Sequence, residues 1–173
     1  MSGPDQEKEL ILVRLSELTD NLQSLMSSHR ELYEITRSER QALIDADTKT
    51  LEMLVTKKEM LLEHILRLDQ KRRALCHDIT PGLTLLQIID HLEGRGFPQS
   101  TPLRSTRQAL QILITRIQEI NASNQLLIDS SLKHVEAMKI NALGTGAGRS
   151  PVYGRSGQRG PALSGARHVA TER

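Results

Sequence analysis

Apolar residues recur in alternating steps of four and three along the first quarter of the chain. This spacing places them on one helical face, and about 40 residues on one face predict a long helix that needs packing partners. The same face carries His29, Thr36 and Glu39, so we expect looser packing or exposure to solvent there. The predicted seam comprises Ile11, Leu15, Leu18, Leu22, Leu25, His29, Leu32, Thr36, Glu39 and Leu43.

The segment Asp45-Ala46-Asp47 interrupts this pattern, and either aspartate can cap a new helix. A second seam follows in steps of three and four. The short connection favours an antiparallel hairpin over one continuous rod, although no glycine or proline forces a break. The second seam comprises Leu51, Leu54, Lys58, Leu61, Ile65, Leu68, Arg72 and Leu75.

Proline and glycine then divide the rest of the helical region. Thr80-Pro81-Gly82 ends the second helix, and Thr84 can cap a short helix over residues 85–93. A second break at 94–98 precedes a third long helix, residues 103–143. The predicted fold is all-α: an elongated antiparallel bundle of three long helices with a short fourth, residues 1–143. The third long seam is Leu110, Leu113, Ile117, Ile120, Asn124, Leu127, Ser131, His134 or Val135, and Met138.

Composition changes after Leu143. Residues 144–173 contain seven glycines and two prolines, and five arginines stand there against one acid, Glu172. The segment therefore carries a net charge of about +4. Because the net charge of the whole chain is +2, residues 1–143 carry about −2. Such a segment cannot bury enough apolar surface to offset its ordering entropy. We predict a disordered, basic, glycine-rich tail at residues 144–173.

Several function classes are disfavoured. Aromatic residues make up only 2% of the chain, so it offers no stacking platform for single-stranded nucleic acid. Its single cysteine, Cys76, lies beside His77 on a helix, where adjacent side chains point about 100° apart and do not form a nucleophile–base pair. No phosphate loop, metal motif or catalytic signature is present. We expect no enzyme activity, no cofactor, no metal and no nucleic acid partner.

The longest apolar runs, such as residues 10–13, are far shorter than the roughly 20 residues of a membrane helix or the 7–15 of a signal core. We therefore expect a cytoplasmic protein without direct membrane insertion.

The third long helix carries the first candidate binding surface. Amide and hydroxyl side chains alternate there with apolar anchors, as on a groove that receives another protein's helix. A partly exposed bundle helix explains the same periodicity about equally well. The candidate client-binding residues are Asn121, Asn124, Leu127, Ile128, Leu132 and Val135.

A second candidate lies in the tail. Tyr153 and Val152 form a lone aromatic–aliphatic pair among polar residues, followed by Gly154 and Gly157. A lone tyrosine in a polar tail usually has no role, but such a pair is also typical of a short linear docking motif.

These features together resemble the FlgN-type export chaperones of the bacterial flagellar type III secretion system. The most discriminating part is Asn121-x-x-Asn124 followed at this distance by Tyr153-Gly154-x-x-Gly157. The other matching residues are Glu39-x-x-x-Leu43, Asp47-x-x-x-Leu51-x-x-Leu54-x-x-x-Lys58-x-x-Leu61-Leu62, Leu68, Arg72, Ile120, Leu127-Ile128 and Leu132.

The resemblance implies an all-helical cytoplasmic chaperone that binds the C-terminal helical regions of hook–filament junction proteins. It implies that these clients are kept unassembled and delivered to the membrane export gate. The family's client region maps onto the end of the third long helix and the adjoining tail. Its Tyr-Gly motif, associated with gate docking, maps onto Tyr153 and Gly154.

Two alternatives remain open on the sequence. One is a self-assembling coiled-coil structural or adaptor protein whose basic tail tethers it to an anionic surface. A weaker one is a nucleic-acid accessory protein that uses the arginines of the tail.

Overall fold

The structure, a computed structural model, describes residues 4–144 and the side chains of residues 9–143. Four helices follow one another: α1 (Pro4–Ile44), α2 (Thr48–Ile79), α3 (Leu85–Gly94) and α4 (Ser100–Gly144). Residues 4–144 contain no strand. The predicted all-α bundle of three long helices and one short helix is confirmed.

The chain divides into two compact units, Met1–Leu132 and Lys133–Arg173. The first unit holds α1, α2, α3 and most of α4. In the second unit the described residues continue α4, and their side chains at 133–143 are exposed. The predicted tail, residues 144–173, lies outside the described residues except for Gly144 at the end of α4.

A three-residue turn separates α1 from α2. The amide of Asp47 donates to the carbonyl of Ala42 at 2.9 Å, and the amide of Ala46 donates to that of Leu43 at 3.4 Å. This pair of bonds is the Schellman helix ending, which places its penultimate residue in the left-handed region. Ala46 adopts it, with φ 53°. The predicted break at 45–47 is therefore real.

Asp47 also starts α2. One of its carboxylate oxygens accepts a hydrogen bond from the amide of Thr50 at 3.1 Å. The helices then run antiparallel, because Glu39 of α1 contacts Lys58 of α2, whereas the earlier Asn21 of α1 donates to the carbonyl of the later Leu68. The predicted hairpin is confirmed, and one aspartate both ends α1 and begins α2.

The predicted boundaries of α3 are also close to the observed ones. Thr84 and Gln87 form a reciprocal capping box at its start. At its end, Phe97 donates to the carbonyl of Leu92 and Gly96 to that of Glu93, the same Schellman pattern that closes α1. Gly96 occupies the left-handed position, with φ 73°.

Aliphatic side chains fill two core clusters. Leu15, Leu18 and Leu22 of α1 are completely buried, which makes α1 the helix on which the others pack. The larger cluster joins the first half of α1 to the end of α2, α3 and the start of α4. The smaller cluster comprises Leu32, Ile35, Leu61 and Ile117.

The expectation of loose packing at the polar seam positions of α1 is wrong. His29, Thr36 and Glu39 are all buried. The ring Nδ1 of His29 hydrogen-bonds the carbonyl of Leu25 at 2.8 Å, and the hydroxyl of Thr36 donates to that of Leu32 at 2.7 Å. These local bonds to the preceding turn satisfy the polar atoms, so the side chains enter the interior at little desolvation cost.

The seam of α4 is buried along only part of its length. Leu110, Ile117 and Asn124 are buried, whereas Ser131, His134, Val135 and Met138 are exposed. The helical spacing of the seam positions therefore continues along α4 beyond the residues that the helix buries.

The left-handed alanine in the first turn yields a stability prediction. We expect Ala46→Gly to raise the free energy of unfolding by about 0.5–1 kcal/mol, because an L-residue pays for this conformation and glycine does not. Ala74, exposed within α2, supplies the opposite control, since Ala74→Gly should lower stability by about 0.5–1 kcal/mol. Urea unfolding of both variants measures the difference, and equal destabilisation would contradict the role of Ala46.

Candidate functional site

A charged layer joins α1, α2 and α4 within the first unit. The ammonium of Lys58 on α2 donates to the carboxylate of Glu39 on α1 at 2.6 Å and to the amide oxygen of Asn121 on α4 at 2.9 Å. Glu39 is only 7% exposed. A buried carboxylate must be paired to offset its desolvation, and Lys58 supplies that pairing.

Asn124 continues this layer one turn along α4. Its side-chain Nδ2 donates to the carbonyl of Thr36 at 3.1 Å, and the residue is 5% exposed. Its amide oxygen is buried and has no hydrogen-bond partner among the described residues. Arg40 donates to the hydroxyl of Ser123 beside it. One acceptor in this layer is thus left unsatisfied.

A cavity of about 370 Å³ opens over the layer. Three of the predicted client-binding residues line it: Asn121, Asn124 and Ile128. Leu43 of α1 and Val55 of α2 contribute apolar walls. The structure therefore brings together both predicted asparagines and one predicted anchor around a single opening.

The other predicted anchors lie elsewhere on α4. Leu127 is half-buried and does not line this cavity. Leu132 is 63% exposed at the end of the first unit, and Val135 is exposed in the second unit. The predicted docking residues Val152, Tyr153, Gly154 and Gly157 lie outside the described residues.

A larger groove was not predicted from the sequence. Its volume is about 710 Å³, and it lies between α2 and α4, with Leu22 and Leu25 of α1 and the start of α3 at residues 84–86 also lining it. Leu62 and Leu66 form its α2 side, and both are exposed. The available sequence signal was this pair at i and i+4, one position beyond the seam residues Leu61 and Ile65 of α2.

The groove also contains charged groups. Burial of Asp69 opposes its ionisation, but hydrogen bonds and charge from Arg72 and Arg73 outweigh burial and hold the pKa of the Asp69 carboxyl below its ordinary value. The guanidinium of Arg72 donates to Asp69 at 2.8 Å. These two charges largely neutralise each other inside the groove.

The described residues offer little reactive chemistry. Cys76 is buried, and burial raises the pKa of its thiol, with a smaller opposing effect of Arg72. Among residues 9–143, no group of three or more His, Cys, Asp or Glu side chains is placed to hold a metal ion. No helix in the described part of the chain is long and apolar enough to cross a membrane. What the site does offer is an apolar and hydrogen-bonding surface.

Comparison with known proteins adds one positive finding. The family model described as FlgN protein matches residues 14–161. This range covers most of the chain and includes Asn121, Asn124 and Tyr153. No curated protein matches the chain, and no solved structure does.

The charged layer can be tested through the stability of the fold. We expect Glu39→Ala to cost about 2 kcal/mol, because it leaves the partly buried ammonium of Lys58 without its anion. Replacing Glu39 and Lys58 together by Met should cost clearly less than the sum of the single changes Glu39→Met and Lys58→Met, since no unpaired charge remains. Unfolding by urea, which does not screen charges, measures all variants.

Glu63 provides the matched control. Its 3.9 Å ion pair with Arg67 lies on the surface of α2, so Glu63→Ala should change stability by less than about 0.5 kcal/mol. Simple additivity of the Glu39 and Lys58 changes would show that the two side chains are not energetically coupled.

Proposed function

The chain belongs to the FlgN family of flagellar export chaperones, and we propose that it binds helical termini of hook–filament junction proteins in the cytoplasm. In this proposal the bound client cannot assemble prematurely and is delivered to the membrane export gate. The family is a chaperone family rather than an enzyme family. The resemblance recognised in the sequence is thereby confirmed at the level of the family.

The proposed client surface is centred on the cavity over the charged layer. Asn121 and Asn124 line it, and the buried amide oxygen of Asn124 has no hydrogen-bond partner among the described residues. Leu127, Ile128 and the exposed Leu132 lie along the same helix. The observation that carries the proposal is this cavity, in which two amide side chains and the apolar Ile128 line one opening, with the exposed Leu132 one turn further along α4.

The proposed mechanism requires no chemistry on this chain. Subunits that polymerise through helical termini must keep those termini covered until export. A bundle with an apolar surface can cover them reversibly, because burial of apolar area is favourable and non-directional. Release then needs only a competing binding event at the gate.

Leu132 tests client binding more cleanly than the asparagines do. The amide group of Asn124 hydrogen-bonds within the bundle, so its replacement would change stability as well. Leu132 is 63% exposed, and Leu132→Ala should leave the free energy of unfolding within about 0.5 kcal/mol. We expect it to weaken binding of a hook–filament junction protein about tenfold, as for an apolar interface anchor.

Leu126 is the matched control for this measurement. It lies on the same helix, is 70% exposed and is not one of the proposed client residues. Leu126→Ala should leave client affinity within about twofold, measured by calorimetry on both variants. Equal effects of the two changes would remove Leu132 from the client surface.

We further propose that Val152, Tyr153, Gly154 and Gly157 dock the chaperone to the export gate. The composition around Tyr153 predicts no packed core, so Tyr153→Ala should leave folding and client affinity nearly unchanged. Gate affinity should fall at least about thirtyfold if the ring is a buried anchor in that complex. Both affinities should be measured on the same variant. Loss of client binding with gate binding preserved would place Tyr153 in the client site instead.

A further inference from the structure

An apolar ridge of α2 borders the groove between α2 and α4. Leu66 is 56% exposed and Leu62 is 45% exposed, although both line the groove. Their spacing of four residues places them one above the other on the helix surface. Two helical surfaces interlock when the ridge of one enters the groove of the other. The first unit therefore carries both halves of such a contact side by side.

The ends of this ridge can be located along the bundle. Lys58 of α2 hydrogen-bonds Asn121 of α4 at 2.9 Å, so the two helices are level at that point. Arg107 precedes Asn121 by 14 residues, which is about 21 Å along α4 at 1.5 Å per residue. It lines the groove together with Arg72 of α2. Glu59, the neighbour of Lys58, therefore lies at one end of the ridge, and Arg107 lies at the other.

The end of the ridge at Glu59 is acidic. Glu59 and Glu63 line one shallow surface pocket together with Leu62 and Leu66. Glu63 forms a 3.9 Å ion pair with Arg67 on the surface of α2. Glu59 is exposed and forms no ion pair with any side chain that the structure describes. Its carboxylate can therefore pair with a cation of another molecule.

The end of the ridge at Arg107 is basic. Arg72 and Arg73 each contact the carboxylate of Asp69 at 2.8 Å, so these three side chains leave one positive charge in excess. Arg107 adds a second positive charge, and it has no ion-pair partner within the described part of the chain. Positive charge thus accumulates about 20 Å away from Glu59.

We propose that this face pairs with the same face of a second copy of the chain in a two-fold symmetric dimer. The two-fold axis lies beside Leu66, midway between the two ends, and is perpendicular to α2. Glu59 of each copy then lies opposite Arg107 of the other, because a two-fold contact is made twice with the roles exchanged. The ridge of each copy enters the groove of the other, which removes Leu62 and Leu66 of both from water.

The charges select the direction in which the two copies pair. Antiparallel α2 helices bring each acidic end onto a basic end, whereas parallel α2 helices would place acidic end on acidic end. The contact extends over only about 20 Å of each long helix, which is at the small end of stable interfaces. We therefore expect a dimer that dissociates on dilution. The inference is independent of the proposed function, since no flagellar partner takes part in it.

Analytical ultracentrifugation of the full chain over a concentration series measures this dimer, and circular dichroism checks that each variant folds. The wild-type chain should pass from monomer to dimer as its concentration rises. Leu66→Ala should weaken the dimer at least about tenfold, because the side chain is lost from both copies beside the axis. Met60→Ala is the matched control, since Met60 is exposed on α2 and does not line the groove. It should change the dissociation constant less than about twofold.

Charge reversal tests the antiparallel arrangement. Glu59→Arg and Arg107→Glu should each weaken the dimer at least about tenfold, because each change creates a like-charge contact at both ends. An equimolar mixture of the two variants should dimerise about as well as the wild-type chain, since every contact then joins opposite charges. Glu31→Arg and Arg116→Glu are the controls, because they change the net charge equally at exposed positions outside the groove. Each should change the dissociation constant less than about threefold.

Three outcomes would overturn the inference. A chain that stays monomeric up to about 200 µM, where a micromolar dimer would be mostly formed, would leave the groove to another occupant. A dimer that neither Leu66→Ala nor Arg107→Glu weakens would place the contact between copies on another face. Failure of the two charge variants to pair when mixed would exclude the antiparallel arrangement. The proposed function stands in all three cases, because it is tested by client affinity.

Discussion

The pairing of the buried Glu39 carboxylate constrains three helices at once. A single ammonium, that of Lys58, hydrogen-bonds both Glu39 on α1 and Asn121 on α4. A shift of α4 by one turn, about 5.4 Å, would take Asn121 out of hydrogen-bond reach of Lys58 and leave this partly buried ammonium with one hydrogen bond fewer. Aliphatic contacts alone tolerate such a shift more easily, because they are non-directional. The polar layer therefore fixes the register in which the leucine seams pack.

The open groove follows from how this register arranges the long helices. The completely buried leucines of α1 make it the common support for α2 and α4. Where α2 and α4 both rest on α1 without covering each other's apolar side chains, a furrow remains between them, and no Phe, Tyr or Trp lines it. Leu62 and Leu66 stay exposed there as a result.

Local sequence signals were sufficient for most of the fold. Thr84 was recognised as a cap, and Asp47 as one of two candidate caps, because a side-chain oxygen can satisfy the free amides at a helix start wherever that helix lies. The end of α1 was harder to recognise, since Ala46 occupies a left-handed position that usually takes glycine. The seam of α1 identified most of the apolar residues that the helix buries, but it predicted loose packing at His29, Thr36 and Glu39, which are buried as well. Their partners lie on the preceding turn or on another helix.

The helix positions, the buried faces and the family resemblance could thus be predicted from the sequence alone, because each depends on neighbours within a few residues or on short motifs. The candidate site could be predicted only in part. Asn121, Asn124 and Ile128 were identified from their pattern, but their common cavity depends on Glu39 and Lys58, which are distant in sequence. The groove lined by Leu66 and Arg107 depended wholly on the tertiary structure. Periodicity determines which face a helix buries, whereas only the packing of α2 and α4 on α1 determines which side chains come opposite one another.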